Sequence, residues 1–135
     1  MGFVSTLTGV ASSSFQDSQE GALARIDLQN AEGGVDGRKI VLDVADDQSS
    51  PSLDQTAVQS LVENKNVFGI IDYSSFAFGG IKYLQANNIP ITGGGFDGPE
   101  WGQQPYSNMF SYLPPVETPF NGATYQYSYL SLIHI

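Results

Sequence analysis

The stretch "KIVLDVADDQSSPSLDQTAVQSLV", residues 39–62, decides the fold. It begins with "KIVLDV" (39–44), which carries apolar side chains on both faces of an extended chain, as a strand buried between helices requires. A polar, turn-forming run follows. Ser50-Pro51 then opens a helix, because proline's fixed φ and missing N–H suit the first turn. Leu53, Ala57 and Leu61 lie on one stripe of that helix, with Val58 and Val62 beside it. Strand, loop and helix in this order make half of a βαβ unit.

The same pattern extends in both directions. "FVSTL" (3–7) predicts a strand, and residues 16–31 predict a helix ended by Gly33-Gly34. Further on, "VFGII" (67–71) predicts a third strand, Phe78, Ile81 and Leu84 mark a third helix, and "IPIT" (89–92) predicts a fourth strand. Strands recurring every ~20–30 residues with helices between them imply an α/β chain with an open, parallel, doubly wound sheet. In such sheets ligands sit beyond the carboxyl ends of the strands. Four loops qualify: 8–15, 46–50, 72–76 and 93–102.

Composition narrows the function classes. The chain has 135 residues, enough for one domain with a real core. Five basic residues against fourteen acidic ones give a net charge of −9, which argues against nucleic acid and anionic membrane surfaces as partners. Without cysteine there is no disulfide, thiol chemistry or Cys-ligated zinc. No apolar run approaches the ~20 residues of a membrane helix. Met1 is followed by "GFVSTLTG" with no secretory signal pattern, so the expectation is either a mature start or missing upstream sequence.

The fourth loop, "TGGGFDGPEWG" (92–102), has the glycines of a phosphate cradle but no Lys and no helical pattern after it. Asp97 and Glu100 would repel a phosphate. The glycines either let backbone approach a small polar ligand or form a tight turn with Trp101 packed beneath. In the second loop, Asp46 and Asp47, with Asp43 before them and Asp72 elsewhere, raise an Mg²⁺-binding phospho-receiver as a possibility. Lys82 lies mid-helix, where it does not fit that chemistry, and a solvated loop capping the next helix is favoured. The lone His134 leaves no Ser-His-acid set, so hydrolase catalysis is not expected. The third loop, "DYSSF" (72–76), brings hydroxyls from Tyr73, Ser74 and Ser75 to the start of a helix. It suits either a carboxylate ligand or a simple Ser cap. With the glycine loop it points toward a small zwitterion.

The runs "NAEGGVDGRK" (30–39) and "DDQSSP" (46–51), with "YLQANNIPITGGG" (83–95) further on, resemble the branched-chain amino acid–type substrate-binding proteins of ABC transporters. The likeness covers roughly residues 3–112. It implies the first lobe of a type I periplasmic-binding-protein fold, in which two α/β lobes clamp a ligand, and it implies no enzyme activity and no cofactor or metal.

By that resemblance Ser75, or Ser74, gives a hydroxyl to the ligand's carboxylate, Gly95 and Phe96 give backbone contacts, and Ser14 or Phe15 stands near the side-chain pocket. Asp97 replaces the small hydroxyl residue of amino acid binders and would face an amine or shape the loop. The implied partners are an amino acid-like solute and a membrane permease, and the implied location is periplasmic or extracellular, with or without a lipid anchor. A ligand-sensing regulatory domain of the same fold is the alternative.

The expected organisation is a partial ligand-binding lobe over 1–113, a crossover at Pro114-Pro115 and the start of a second lobe over 114–129, and a tail, "LSLIHI" (130–135). The tail is expected to be non-native, resembling translated adapter sequence, with an ordinary apolar strand as the other reading.

Overall fold

The stripe read from the second helix is the centre of the core. In the computed structural model, which describes residues 1–93, 101 and 106–111, that helix (α2) runs Pro51–Lys65 and buries Ala57, Val58 and Leu61. They pack with Val4, Val67, Ile70, Ile81, Leu84, Ile91 and Met109. Leu53, expected on the same stripe, lies in the first turn and is largely exposed. Asn66 closes the helix in the left-handed conformation at φ 51°, an asparagine at the C-cap doing what glycine usually does.

Among the described residues five strands form one parallel sheet: β1 (Gly2–Ser5), β2 (Asp43–Asp46), β3 (Ile70–Tyr73), β4 (Ile91–Gly93) and β5 (Met109–Ser111). Their spatial order is β2-β1-β3-β4-β5. The remaining helices are α1 (Ser18–Ala31) and α3 (Ile81–Ala86), with short 3-10 turns at Ser12–Ser14 and Ala77–Gly79. The expected open, parallel α/β sheet is therefore present. β5 has no strong sequence signal, being three residues of which Phe110 is exposed.

Side chains alternate across each strand. Val4, Ile70, Ile91 and Met109 share the face covered by α2 and α3. The opposite row, in register, is Phe3, Ile71, Thr92 and Phe110. On this side α1 packs against β1, and Phe110 at the far edge is 57% exposed.

One element is corrected. The strand expected at 39–44 with both faces buried starts only at Asp43, forms the sheet edge and is half-buried throughout. Val41 is 68% exposed. The backbone before Asp43 is held by other partners. The Asn30 side chain accepts from the Ile40 N–H at 2.7 Å and donates to the Ile40 carbonyl at 2.9 Å, and the chain amino terminus donates to the Val41 carbonyl at 2.9 Å. The apolar run was read as strand because composition alone does not show that its ladder partners are absent.

The run 30–39 has a direct physical account. Asp36 and Gly37 both have positive φ, 49° and 74°, the signature of a type I′ turn. Val35 and Arg38 exchange N–H···O bonds of 2.8 and 2.9 Å across it. A Cβ at Gly34 would lie 2.1 Å from the Arg38 carbonyl oxygen, so only glycine fits there. The expected crossover (114–129) and tail (130–135), and with them the boundaries of the expected lobe, lie outside the described residues.

Candidate functional site

The sheet order places a switch point between β1 and β3, since β2 lies to one side of β1 and β3 to the other. Open α/β sheets bind ligands in the crevice at that point, beyond the carboxyl ends of the strands. Here the crevice is bordered by the segment after β1 and the segment after β3.

The segment after β1 is tied to the β2 loop. Asp46 accepts the backbone N–H groups of Leu7 at 2.9 Å, Thr8 at 3.2 Å and Gln48 at 2.9 Å, as well as the Thr8 hydroxyl. Burial pushes the Asp46 carboxyl up, but these bonds, led by the Thr8 hydroxyl, outweigh it and hold the group below the ordinary aspartate value. Ser49 accepts the Ala11 N–H at 3.0 Å and donates to the Thr8 carbonyl at 3.1 Å. Gly9, at φ +91°, lets the two loops touch: a Cβ there would lie 2.5 Å from the Gln48 carbonyl oxygen.

Beneath these loops lies a buried polar knot. Thr6, Asp47 and Ser74 follow β1, β2 and β3 respectively, and each is 1% exposed or less. Thr6 Oγ1 donates to Asp47 Oδ2 at 3.0 Å, and Ser74 Oγ donates to the same oxygen. Asp47 Oδ1 accepts the Ser49 N–H at 2.8 Å. Ser74 Oγ in turn accepts the Phe76 N–H at 2.9 Å, closing the turn over residues 74–76. Alongside, Ser5 Oγ donates to the Tyr73 carbonyl at 2.9 Å.

Phe15 is buried, and its ring meets Tyr73 edge-on at a centroid distance of 5.5 Å. The two rings help line a cleft of about 510 Å³ with Ser14, Gln16, Asp17 and Phe3. The cleft carries one charged group, Asp17, and no lysine or arginine. It runs under α1 toward the sheet face rather than staying at the strand ends, because Gly21, Ala22 and Ile71 also line it. Neither Ser74 nor Ser75 borders it; Tyr73 is the link between the turn 74–76 and the cleft.

The expected site residues are thus only partly assembled. Ser74, given as the alternative hydroxyl donor, is buried and committed to Asp47 and Phe76, whereas Ser75 is exposed. Phe15, and Ser14 beside it, line the cleft. Gly95, Phe96 and Asp97 lie outside the described residues. Their flanks are in contact range: Trp101 is buried against Gly93, where a Cβ would come within 2.3 Å of the indole. Thr6 is the residue that sequence reasoning misses, and Tyr73, named only as a loop hydroxyl, serves the cleft with its ring. Tyr73 was legible as a hydroxyl-bearing aromatic at a strand end, but Thr6 read as part of a strand.

The acid pair does not form a metal cluster. Asp46 is saturated by N–H and O–H donors, Asp47 points into the knot, and Asp43 sits at the other end of β2, 3.9 Å from Lys65 Nζ. Among the described residues no group of three His, Cys, Asp or Glu side chains is placed to hold a metal.

A five-stranded parallel sheet of this order, with its crevice at the β1/β3 switch, is shared by several ligand-binding α/β folds, a lobe of a type I periplasmic binding protein among them. The sequence profile of the periplasmic binding protein family matches residues 1–129, and the chain belongs to that family. Among solved structures it is similar to a candidate branched-chain amino acid ABC transporter from Silicibacter pomeroyi, at 23% identity and a TM-score of 0.71, covering 84% of this chain and 31% of that one. It is also similar to a type 1 periplasmic binding protein from Bordetella pertussis Tohama I, at 25% identity and a TM-score of 0.70, covering 85% and 33%. A third is the branched-chain amino acid transporter substrate-binding protein of Streptococcus pneumoniae, solved in complex with isoleucine, at 20% identity and a TM-score of 0.69, covering 84% and 33%. The chain therefore spans about a third of the length of these proteins. No curated protein matches it. Among the described residues no helix is long and apolar enough to cross a membrane.

Proposed function

We propose that this chain is the first lobe of an ABC-transporter substrate-binding protein, which captures an amino acid or similar small polar solute and delivers it to a membrane permease. It binds and does not catalyse, and it works in the periplasm or outside the cell. The observation that carries the reading is the cleft walled by Phe15 and Tyr73, with the exposed Ser75 two residues on from Tyr73 in the turn after β3 at the β1/β3 switch point. A hydroxyl and turn amides suit a carboxylate, the two rings suit an apolar side chain, and Asp17 leaves the cleft receptive to an ammonium group. Gly95, Phe96 and Asp97 complete the contacts from the fourth loop in this reading.

One lobe covers only part of a ligand, so binding by this chain is weak. The test is a titration with L-isoleucine, followed by amide shifts in NMR and by calorimetry. Shifts centred on Phe15, Tyr73 and Ser75, with millimolar affinity that Ser75→Ala abolishes, support the reading. Shifts elsewhere, or none at Ser75, refute the assigned site. Micromolar affinity would refute the need for a second lobe.

A further inference from the structure

The knot formed by Thr6, Asp47 and Ser74 has a consequence for the turn that follows β3. Asp47 Oδ2 takes both hydroxyl hydrogens, from Thr6 and from Ser74. The 3.0 Å approach of Thr6 Oγ1 to Ser74 Oγ therefore holds no further hydrogen of its own. Donating to Asp47 orients the Ser74 oxygen, and that oxygen is the acceptor for the Phe76 N–H at 2.9 Å. Ser75, between the two tied residues, is the one left exposed.

The geometry points to Asp47 as a positioning residue for the turn over residues 74–76, acting through Ser74 to fix Ser75 for the ligand before any ligand arrives. This inference rests on the reading that the turn contributes to binding. Preorganisation of this kind lowers the ordering cost of binding, so its loss weakens affinity without removing any ligand contact. Asparagine is not equivalent to this carboxylate. The carboxylate of Asp47 accepts on both oxygens, from the two hydroxyls and from the Ser49 N–H. An amide turns one of those sites into a donor, so the Thr6 and Ser74 hydroxyls facing it must turn from donating to accepting, and the Ser74 oxygen loses the bond that orients it.

The experiment compares the whole 135-residue chain with Asp47→Asn, Asp47→Ser and Ser75→Ala by amide hydrogen exchange in NMR. The Asp47→Ser variant keeps an oxygen for the Ser49 N–H and serves if Asp47→Asn does not fold. The expected result is a loss of Phe76 amide protection of about ten-fold or more in the Asp47 variants. The amides of Ile70 and Ile91, bonded at 2.9 Å to Pro90 and Asn108, keep theirs. Unchanged protection at Phe76, or a parallel loss at all three amides, overturns the positioning role.

L-Isoleucine titration separates this from the binding reading. Weaker isoleucine binding in Asp47→Asn, abolished when Ser75→Ala is added, supports both. Release of Phe76 with isoleucine binding indifferent to Ser75→Ala leaves the positioning intact and refutes the turn's part in binding.

Discussion

Replacing Gly93 with alanine tests how the end of β4 is built. A Cβ there would lie 2.3 Å from Trp101 Cη2, 2.8 Å from Cζ2 and 2.6 Å from the Asp72 carbonyl oxygen. Contacts under about 3 Å are not tolerated, so something must move. Asp72 and Gly93 are paired in the β3–β4 ladder, which makes the carbonyl the stiffer of the two neighbours. The indole gives way instead. Trp101 is 5% exposed and belongs to the core. Expelling it altogether would return roughly 150–250 Å² to water, about 4–6 kcal/mol at ~25 cal/mol per Å², which bounds the cost from above. Partial displacement with overpacking costs about 1–3 kcal/mol. The expected loss is therefore about 2–4 kcal/mol, with a fall in Tm on the order of 10 °C. Trp101 is the single tryptophan, so its fluorescence reports this contact directly. Urea unfolding followed by emission and by far-UV circular dichroism should show a destabilised Gly93→Ala chain with red-shifted native emission. A variant within about 0.5 kcal/mol of the parent and with unchanged emission would refute the packing argument.

Two other perturbations address the loops. Asp46 has its carboxyl pKa lowered in the fold, so its contribution is fully present above the ordinary value of 3.8 and is lost as pH falls through the folded value. Asp46→Asn should cost about 1–3 kcal/mol at pH 7, and the gap from the parent should narrow in unfolding curves recorded near pH 3; a constant gap would contradict the assignment. Gly9→Ala combines a φ of +91° with a Cβ 2.5 Å from the Gln48 carbonyl oxygen. It should cost about 1–3 kcal/mol by thermal melt and loosen the Ala11 amide in hydrogen exchange, whereas a neutral result would show that the two loops are not in contact.

The sheet was legible because its helices and strands repeat a simple pattern. The stripe of Ala57, Val58 and Leu61, and the Pro51 that opens its helix, are local signals and led directly to α2. Edge status is not local. Residues 40 and 41 have the composition of a strand, yet their backbone groups are claimed by Asn30 and the chain start, contacts that depend on where α1 ends. For the site, strand ends could be counted from the sequence, which is why the turn 72–76 and the loop ending at Phe15 were placed beyond β3 and β1. The choice between Ser74 and Ser75 could not be made from residue type. It depends on which hydroxyl faces Asp47, and that is settled only when three loops meet. Asp47 itself read as one of a solvated pair, although the two neighbours divide sharply: Asp46 ties the loops at the rim, and Asp47 is wholly buried.

The central position of β1 also sets a timetable for folding. Its neighbours are β2, whose first residue is Asp43, and β3, which ends at Tyr73. Ser5 pairs with Tyr73 across 68 residues. Closing so long a loop costs more entropy than a local contact does, so there is an interval in folding before β1 acquires its second partner. Through that interval Phe3 and Val4 belong to an edge, and unpaired edges are where foreign strands attach. β1 is thus secured on both sides only when the most distant pairing of the β2-β1-β3 ladder has formed. A chain cut short before residue 70 leaves this strand one-sided, with the loops at its carboxyl end short of the hydroxyl that Ser74 supplies.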